Sequence, residues 1–226
     1  MVKSIQKLGD DNRVNWLKLS INPEAIDILK KYPNDIVWCG LCDNKNPRAV
    51  EMIIERIEYE KHLPPFHFDQ DVDEYGLYRI WWDRMGYNEH PQIIEMLKEK
   101  IELEKNKEYY ATLNMNDIID WYQICSNPHP NAIELLKANP EEIDWEILSE
   151  NPGAIELLKA NPEEIYWSVL SENPNAIELL KANRKKINWG RLSENENAIE
   201  LIKKRYEYEL SLTPEEYESL EDAEKL

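Results

Sequence analysis

Tryptophan recurs in this sequence at a fixed interval, and a period of that length constrains the fold before any local propensity does. Trp145, Trp167 and Trp189 are 22 residues apart, as are Trp16 and Trp38. The run Asn151-Pro-Gly-Ala-Ile-Glu-Leu-Leu-Lys-Ala-Asn-Pro-Glu-Glu-Ile-Tyr-Trp167 is repeated one period later as Asn173-Pro-Asn-Ala-Ile-Glu-Leu-Leu-Lys-Ala-Asn-Arg-Lys-Lys-Ile-Asn-Trp189. Trp16, Leu19, Ser20, Asn22, Pro23, Ala25, Ile26 and Leu29 stand at the offsets seen from Trp145. Trp82 with Met85 and Pro91, and Trp121 with Ile124 and Pro130, are looser copies. Seven units are therefore anchored by Trp16, Trp38, Trp82, Trp121, Trp145, Trp167 and Trp189, and Trp81 alone is off the register.

Each unit reads as two short helices. Asn151 is suited to cap a first helix, and Pro152 fits the first helical position, where a missing N–H costs nothing. Ala154, Ile155, Leu157 and Leu158 then form a wide apolar face. Asn161 and Pro162 repeat the start signal, with Glu163 and Glu164 in a first turn where carboxylates complement the helix dipole. Ile165, Trp167, Val169 and Leu170 supply the packing of the second helix. A leucine-rich repeat has a similar period, but its strand needs apolar alternation before the Asn, whereas here the spacing is helical and the Asn precedes Pro. The expected fold is all-α: a right-handed α-solenoid of about seven short two-helix repeats with terminal capping helices.

The pattern Asn-Pro-x-Ala-Ile-x-Leu-Leu-x-x-Asn-Pro-x-x-Ile-x-Trp resembles the tandem repeats of proteins from the giant DNA viruses that infect amoebae. The likeness is specific from His129 to Ile202 and weaker from Val14 to Tyr110. It implies a helical repeat protein of viral origin acting in the host cytoplasm or virion, and it implies no catalytic residues. The pattern loses its Pro at Arg184 and Glu196, as a terminal repeat turning into a cap would.

The expected organisation is a single helical-repeat domain over 1–226, with an N-terminal cap at 1–13 and repeats over 14–205. Insertions are expected near 58–79 and 100–116, and an acidic C-terminal cap or tail at 206–226. The intervals Trp38 to Trp82 and Trp82 to Trp121, 44 and 39 residues, are lengthened between the first and second helix of the unit. The first helices read as extended through Glu51–Glu60 and Glu95–Glu104, and such extensions would project from one edge as a candidate partner surface. As plain solvated helices with i to i+4 charge pairs they need no function. The tail from Thr213-Pro-Glu-Glu reads as a short capped helix covering the end of the core.

Lys+Arg 27 against Asp+Glu 45 gives a formal net charge of -18, a field that repels phosphates and favours partners with a basic or mixed-charge surface. Direct nucleic-acid contact and base stacking by the tryptophans are disfavoured on that ground. No secretory h-region or membrane-length apolar run occurs, and three cysteines are too few for a disulfide framework, so an intracellular, unsecreted chain without membrane contact is expected.

Individual motifs carry little chemistry. Trp38-Cys39-Gly40-Leu41-Cys42 has the spacing of a thioredoxin-type redox motif, but Leu41 and Cys42 fill the positions of Leu148 and Ser149, and Cys125 fills the small-residue position of another unit. Asp69-Gln-Asp-Val-Asp73 begins like a calcium loop, yet Glu74 and Ile80 stand where Gly and the bidentate Glu belong. His62 and His67 lack a further ligand set, and His90 and His129 precede prolines at helix starts. No catalytic residue, metal site or cofactor is expected, and no enzyme. The residues flanking each Trp vary while the packing residues recur, which is how a repeat protein builds a recognition surface. Tyr122, Asp144, Glu146 and Tyr166 are the candidate contacts. The expected function is a protein-interaction scaffold or adaptor. A structural component of a particle or assembly site, with self-association, is the first alternative. A factor joining a translation or nucleic-acid complex through protein contacts is the second.

Overall fold

The computed structural model describes residues 14–60, 80–111, 113 and 117–219, and these are helical with no strand among them. The expected N-terminal cap, most of the first insertion, part of the second and the end of the tail lie outside the described residues, as do His62, His67 and the Asp69–Asp73 run. Packing divides the chain into two compact units, residues 1–123 and 124–226.

The first unit contains α1 (Trp16–Ile21), α2 (Ile26–Lys31), α3 (Trp38–Cys42), α4 (Pro47–Glu60), a 3-10 segment at Trp82–Tyr87, α5 (Pro91–Glu104), α6 (Lys107–Tyr110) and the start of α7 (Trp121–Ser126). The second continues through α8 (Pro130–Ala138), α9 (Trp145–Glu150), α10 (Ile155–Ala160), α11 (Trp167–Leu170), α12 (Ile177–Ala182), α13 (Trp189–Leu192), α14 (Ile199–Leu210) and α15 (Pro214–Glu218). Every tryptophan of the register is the first residue of a helical segment. Helices of four to six residues cannot hold themselves together in water, so packing must supply their stability. The apolar residue three after the Trp does this in every case but that of Trp16, whose Leu19 is half-buried: Leu41 and Met85 in the first unit, and Ile124, Leu148, Leu170 and Leu192 in the second, are fully buried. Each such side chain contributes about 1.5–3 kcal/mol of transfer free energy.

Two expectations need correction. The second helix does not begin at Asn161-Pro162 but at Trp167, and residues 161–165 form a turn. The side-chain amide of Asn161 donates back to Leu157 O (2.9 Å), closing the preceding helix instead of opening the next, and Asn139 and Asn183 do the same to Leu135 O and Leu179 O (2.8 and 2.9 Å). The Asn151-Pro152 pair likewise opens a turn before α10 starts at Ile155. Where His precedes Pro the expectation holds: His90 and His129 Nδ1 accept from Gln92 N (3.3 Å) and Asn131 N (3.1 Å) and cap α5 and α8. Thr213 and Glu216 close the expected capping box on α15.

The tryptophans are also less buried than core anchors should be. Trp189 is buried at 7% exposure, while Trp16, Trp38, Trp82, Trp121, Trp145 and Trp167 are partly exposed. The polar residue six positions after each Trp carries more of the frame. The side-chain Oδ1 atoms of Asn22, Asn44, Asn88, Asn127, Asn151, Asn173 and Asn195 each accept the N–H two residues on, forming the same turn in all seven places. Their amide nitrogens reach backwards by about one period. Asn173 Nδ2 donates to Ser149 O and Asn151 O (3.0 Å each), and Asn195 Nδ2 to Ser171 O (3.1 Å) and Asn173 O (2.7 Å). Asn151 makes the same pair to Cys125 O and Asn127 O (2.7 and 2.9 Å), and in the first unit Asn44 makes it to Ser20 O and Asn22 O (2.7 and 3.0 Å). Buried carbonyls that a helix end leaves unpaired are thereby satisfied.

A second polar row runs beside this ladder. Ser20, Ser149 and Ser171 Oγ accept the N–H of Val37, Tyr166 and Asn188, at 3.0 Å in each case. Cys125 Sγ takes Asp144 N–H in the same way (3.4 Å). The thiol of Cys42 is held by the Trp81 backbone, which gives the off-register tryptophan its place: it precedes Trp82 as Tyr166 precedes Trp167.

Candidate recognition surface

The long helices α4, α5 and α14 end in related sequences, Arg56-Ile-Glu-Tyr-Glu60, Lys100-Ile-Glu-Leu-Glu104 and Arg205-Tyr-Glu-Tyr-Glu209. In each the cation pairs with the Glu four residues on, at 2.7, 3.3 and 2.7 Å, with little exposure of either side chain. The same cation lies over the tryptophan of its own unit, 5.0 Å from Trp38, 5.6 Å from Trp82 and 5.2 Å from Trp189. In the first two copies the Glu also accepts the main-chain N–H that ends the insertion: Ile80 to Glu60 and Ile119 to Glu104, both at 3.2 Å. Burial pushes the Glu104 carboxyl up, and the Lys100 ammonium opposes that shift. The extended helices are thus more than solvated rods, because their ends clamp the chain on the far side of each insertion.

The four candidate contact residues are distributed as follows. Tyr122, in the first unit, is 51% exposed, and Tyr166, in the second, is 49% exposed. Glu146 is exposed on the first turn of α9. Asp144 is exposed too, but its carboxylate already accepts Glu146 N (3.0 Å) and Ile147 N (3.1 Å) as the cap of α9, so its first task is local. Within the second unit the residue before one Trp approaches the residue after the preceding Trp, as Asn188 Nδ2 donating to Ser168 Oγ shows (3.0 Å). Glu146 and Tyr166 occupy those two places one period earlier.

No protein-family model matches the chain, and no match is found among curated proteins or solved structures. What can be said of function therefore rests on the surface itself. The outer faces of the first helices in the second unit carry a regular row of ion pairs, Glu134–Lys137, Glu156–Lys159, Glu178–Lys181 and Glu200–Lys203 (2.7, 2.8, 2.7 and 3.1 Å). Such exposed i, i+3 pairs contribute a few tenths of a kcal/mol and are well solvated. The turns before the second helices are different. Pro140–Glu142 and Pro162–Glu164 are exposed and acidic, and Arg184–Lys186 occupies the same turn with its charge reversed.

The cysteines read as packing residues. Cys39, Cys42 and Cys125 are buried and free, and burial pushes the Cys39 and Cys42 thiols up, opposite to the shift a redox thiolate needs. No group of three or more His, Cys, Asp or Glu side chains among the described residues is placed to hold a metal, and no described helix is long and apolar enough to cross a membrane.

Proposed function

We propose that the protein is a non-enzymatic helical-repeat scaffold, a right-handed α-solenoid of about seven two-helix repeats, that binds a partner protein of basic or mixed-charge surface. The observation that carries the reading is the division of labour along the repeat. The Trp-plus-three apolar residue, the Ser or Cys row and the asparagine ladder are repeated and mostly buried, with Leu19, Asn22, Asn88 and Ser193 outside that rule, whereas the residues on either side of each Trp differ and several are exposed, Tyr122, Glu146 and Tyr166 among them. A rigid frame presenting a row of dissimilar side chains is suited to recognition and offers no assembled chemistry. The resemblance to giant-virus repeats adds the proposal that it works in the host cytoplasm or the virion.

The test is capture of the tagged protein from its native cellular setting under mild salt, with and without nuclease, beside the double variant Tyr166→Ala, Glu146→Lys. Stoichiometric recovery of a defined protein set that survives nuclease and is lost in the variant is the expected result. Recovery only of the chain itself, or of particle proteins irrespective of the variant, would replace the adaptor with a structural role.

A further inference from the structure

Comparison of the units shows tryptophan rings that no cation covers among the described residues. In the second unit the rings of Trp167 and Trp189 are covered by cations, Lys186 at 4.4 Å and Arg205 at 5.2 Å from the ring centroids. In the first unit Arg56 and Lys100 cover Trp38 and Trp82, and the edge of Tyr32 packs on Trp16 at 6.0 Å, while Trp121, like Trp145, has no cation over its ring among the described residues. The cover of Trp167 comes from the turn that precedes the next tryptophan, where Lys186 stands three residues before Trp189. One period earlier that place is held by Glu164, three residues before Trp167.

The two turns share a main-chain bond: Glu164 N donates to Asn161 O (3.1 Å) as Lys186 N does to Asn183 O (2.8 Å). The residues that follow are tied alike to Ser149 and Ser171. By the register, Glu164 holds toward Trp145 the place that Lys186 holds toward Trp167. The helix after Trp145, α10, stops at Ala160 and is too short to supply the arginine or lysine that α4, α5 and α14 bring to their rings. Trp145 is partly exposed, with no cation over it among the described residues, and Glu164, Glu146 and Tyr166 are exposed around it in the register.

We propose that the face of Trp145, flanked by Glu164 and Glu146, receives a lysine or arginine side chain from a basic segment of a partner protein. The chain itself demonstrates the geometry, since Lys186 on Trp167 is the bound state of the equivalent place. A cation there gains the ring quadrupole and a carboxylate together, and a chain of net charge -18 attracts such a segment from a distance. The proposal rests on the adaptor reading and names the chemistry of its partner.

The experiment is fluorescence anisotropy of a labelled, end-capped arginine–serine peptide at physiological ionic strength. Glu164→Lys would place the chain's own ammonium over Trp145 and weaken binding by roughly 2- to 30-fold, the range of a cation–π contact. Glu163→Lys makes the same charge change one residue away and should weaken it far less. Trp145→Leu should match Glu164→Lys with the charge unaltered. Lys186→Glu uncovers Trp167 and should raise the number of bound peptides by one.

Equal weakening by Glu163→Lys and Glu164→Lys, with Lys186→Glu leaving the stoichiometry unchanged, would reduce the attraction to general charge and overturn the proposal. Spermine binding as tightly as the peptide at the same ring would overturn the assignment to a protein segment. No peptide binding at all would overturn the site but not the adaptor reading, which stands or falls separately on capture by the Tyr166 and Glu146 variant.

Discussion

Two side chains show how much one atom can decide. Asp83 Oδ1 is buried with no hydrogen-bond partner, and burial raises its carboxyl from 3.8 to about 6, opposed by Arg84 and reinforced by Asp120 and Asp43. Arg84 is itself committed to Asp43 at 2.7 Å. Because the folded carboxyl binds its proton more tightly than the unfolded one, the folded state holds more protons between the two values. Stability should therefore fall as pH rises through that window and level off above about 6. Melting temperature measured against pH should show this slope, and Asp83→Asn should reduce it, leaving the part due to Glu104, while raising the melting temperature at neutral pH. Asn173 is the second case. Its amide serves two buried carbonyls, and each orphaned group costs about 1–3 kcal/mol. Asn173→Ala should therefore cost about 2–5 kcal/mol in denaturant unfolding, against less than about 1 kcal/mol for Asn175→Ala, whose single long-range bond is exposed.

At the scale of the element, the ladder explains what the sequence made legible and what it did not. The tryptophan register, the apolar residue three positions on and the His and Thr caps were all readable, because each is a local preference with a local cause. The asparagine six after each Trp was legible as the cap of a first helix, and its side-chain Oδ1 instead closes a turn ahead of that helix. Its amide nitrogen acts about one period back, a contact that no local pattern predicts. The Asn161-Pro162 pair misled for a related reason: the same residue type can open a helix or close one, and here it closes α10. The clamp was spelled three times at an i, i+4 spacing and reads on the surface as an ordinary charge pair; its burial is what sets it apart. Glu104→Gln leaves Lys100 buried without its counter-charge, so a loss of about 3–5 kcal/mol is expected by chemical denaturation. Gly153 marks the tightest approach between neighbouring turns, since a Cβ there would sit 2.2 Å from Pro128 O. Gly153→Ala should destabilise by about 1–3 kcal/mol in the same assay.

At the scale of the whole molecule, charge and repetition act against each other. A net charge of -18 on 226 residues opposes compaction, so raising the salt concentration from low to physiological ionic strength should raise the melting temperature as self-repulsion is screened. No change, or a decrease, would mean that the ion pairs outweigh the net charge. The clamps have a further consequence. Glu60 and Ile80 are joined across the residues 61–79, and Glu104 and Ile119 across a shorter stretch, by the same carboxylate-to-amide contact. Entry and exit of the interrupting chain are fixed to one point, so the frame on either side does not register how much peptide lies between. The molecule thus contains two places where foreign sequence could be spliced in and displayed, with the tandem array around it left undisturbed.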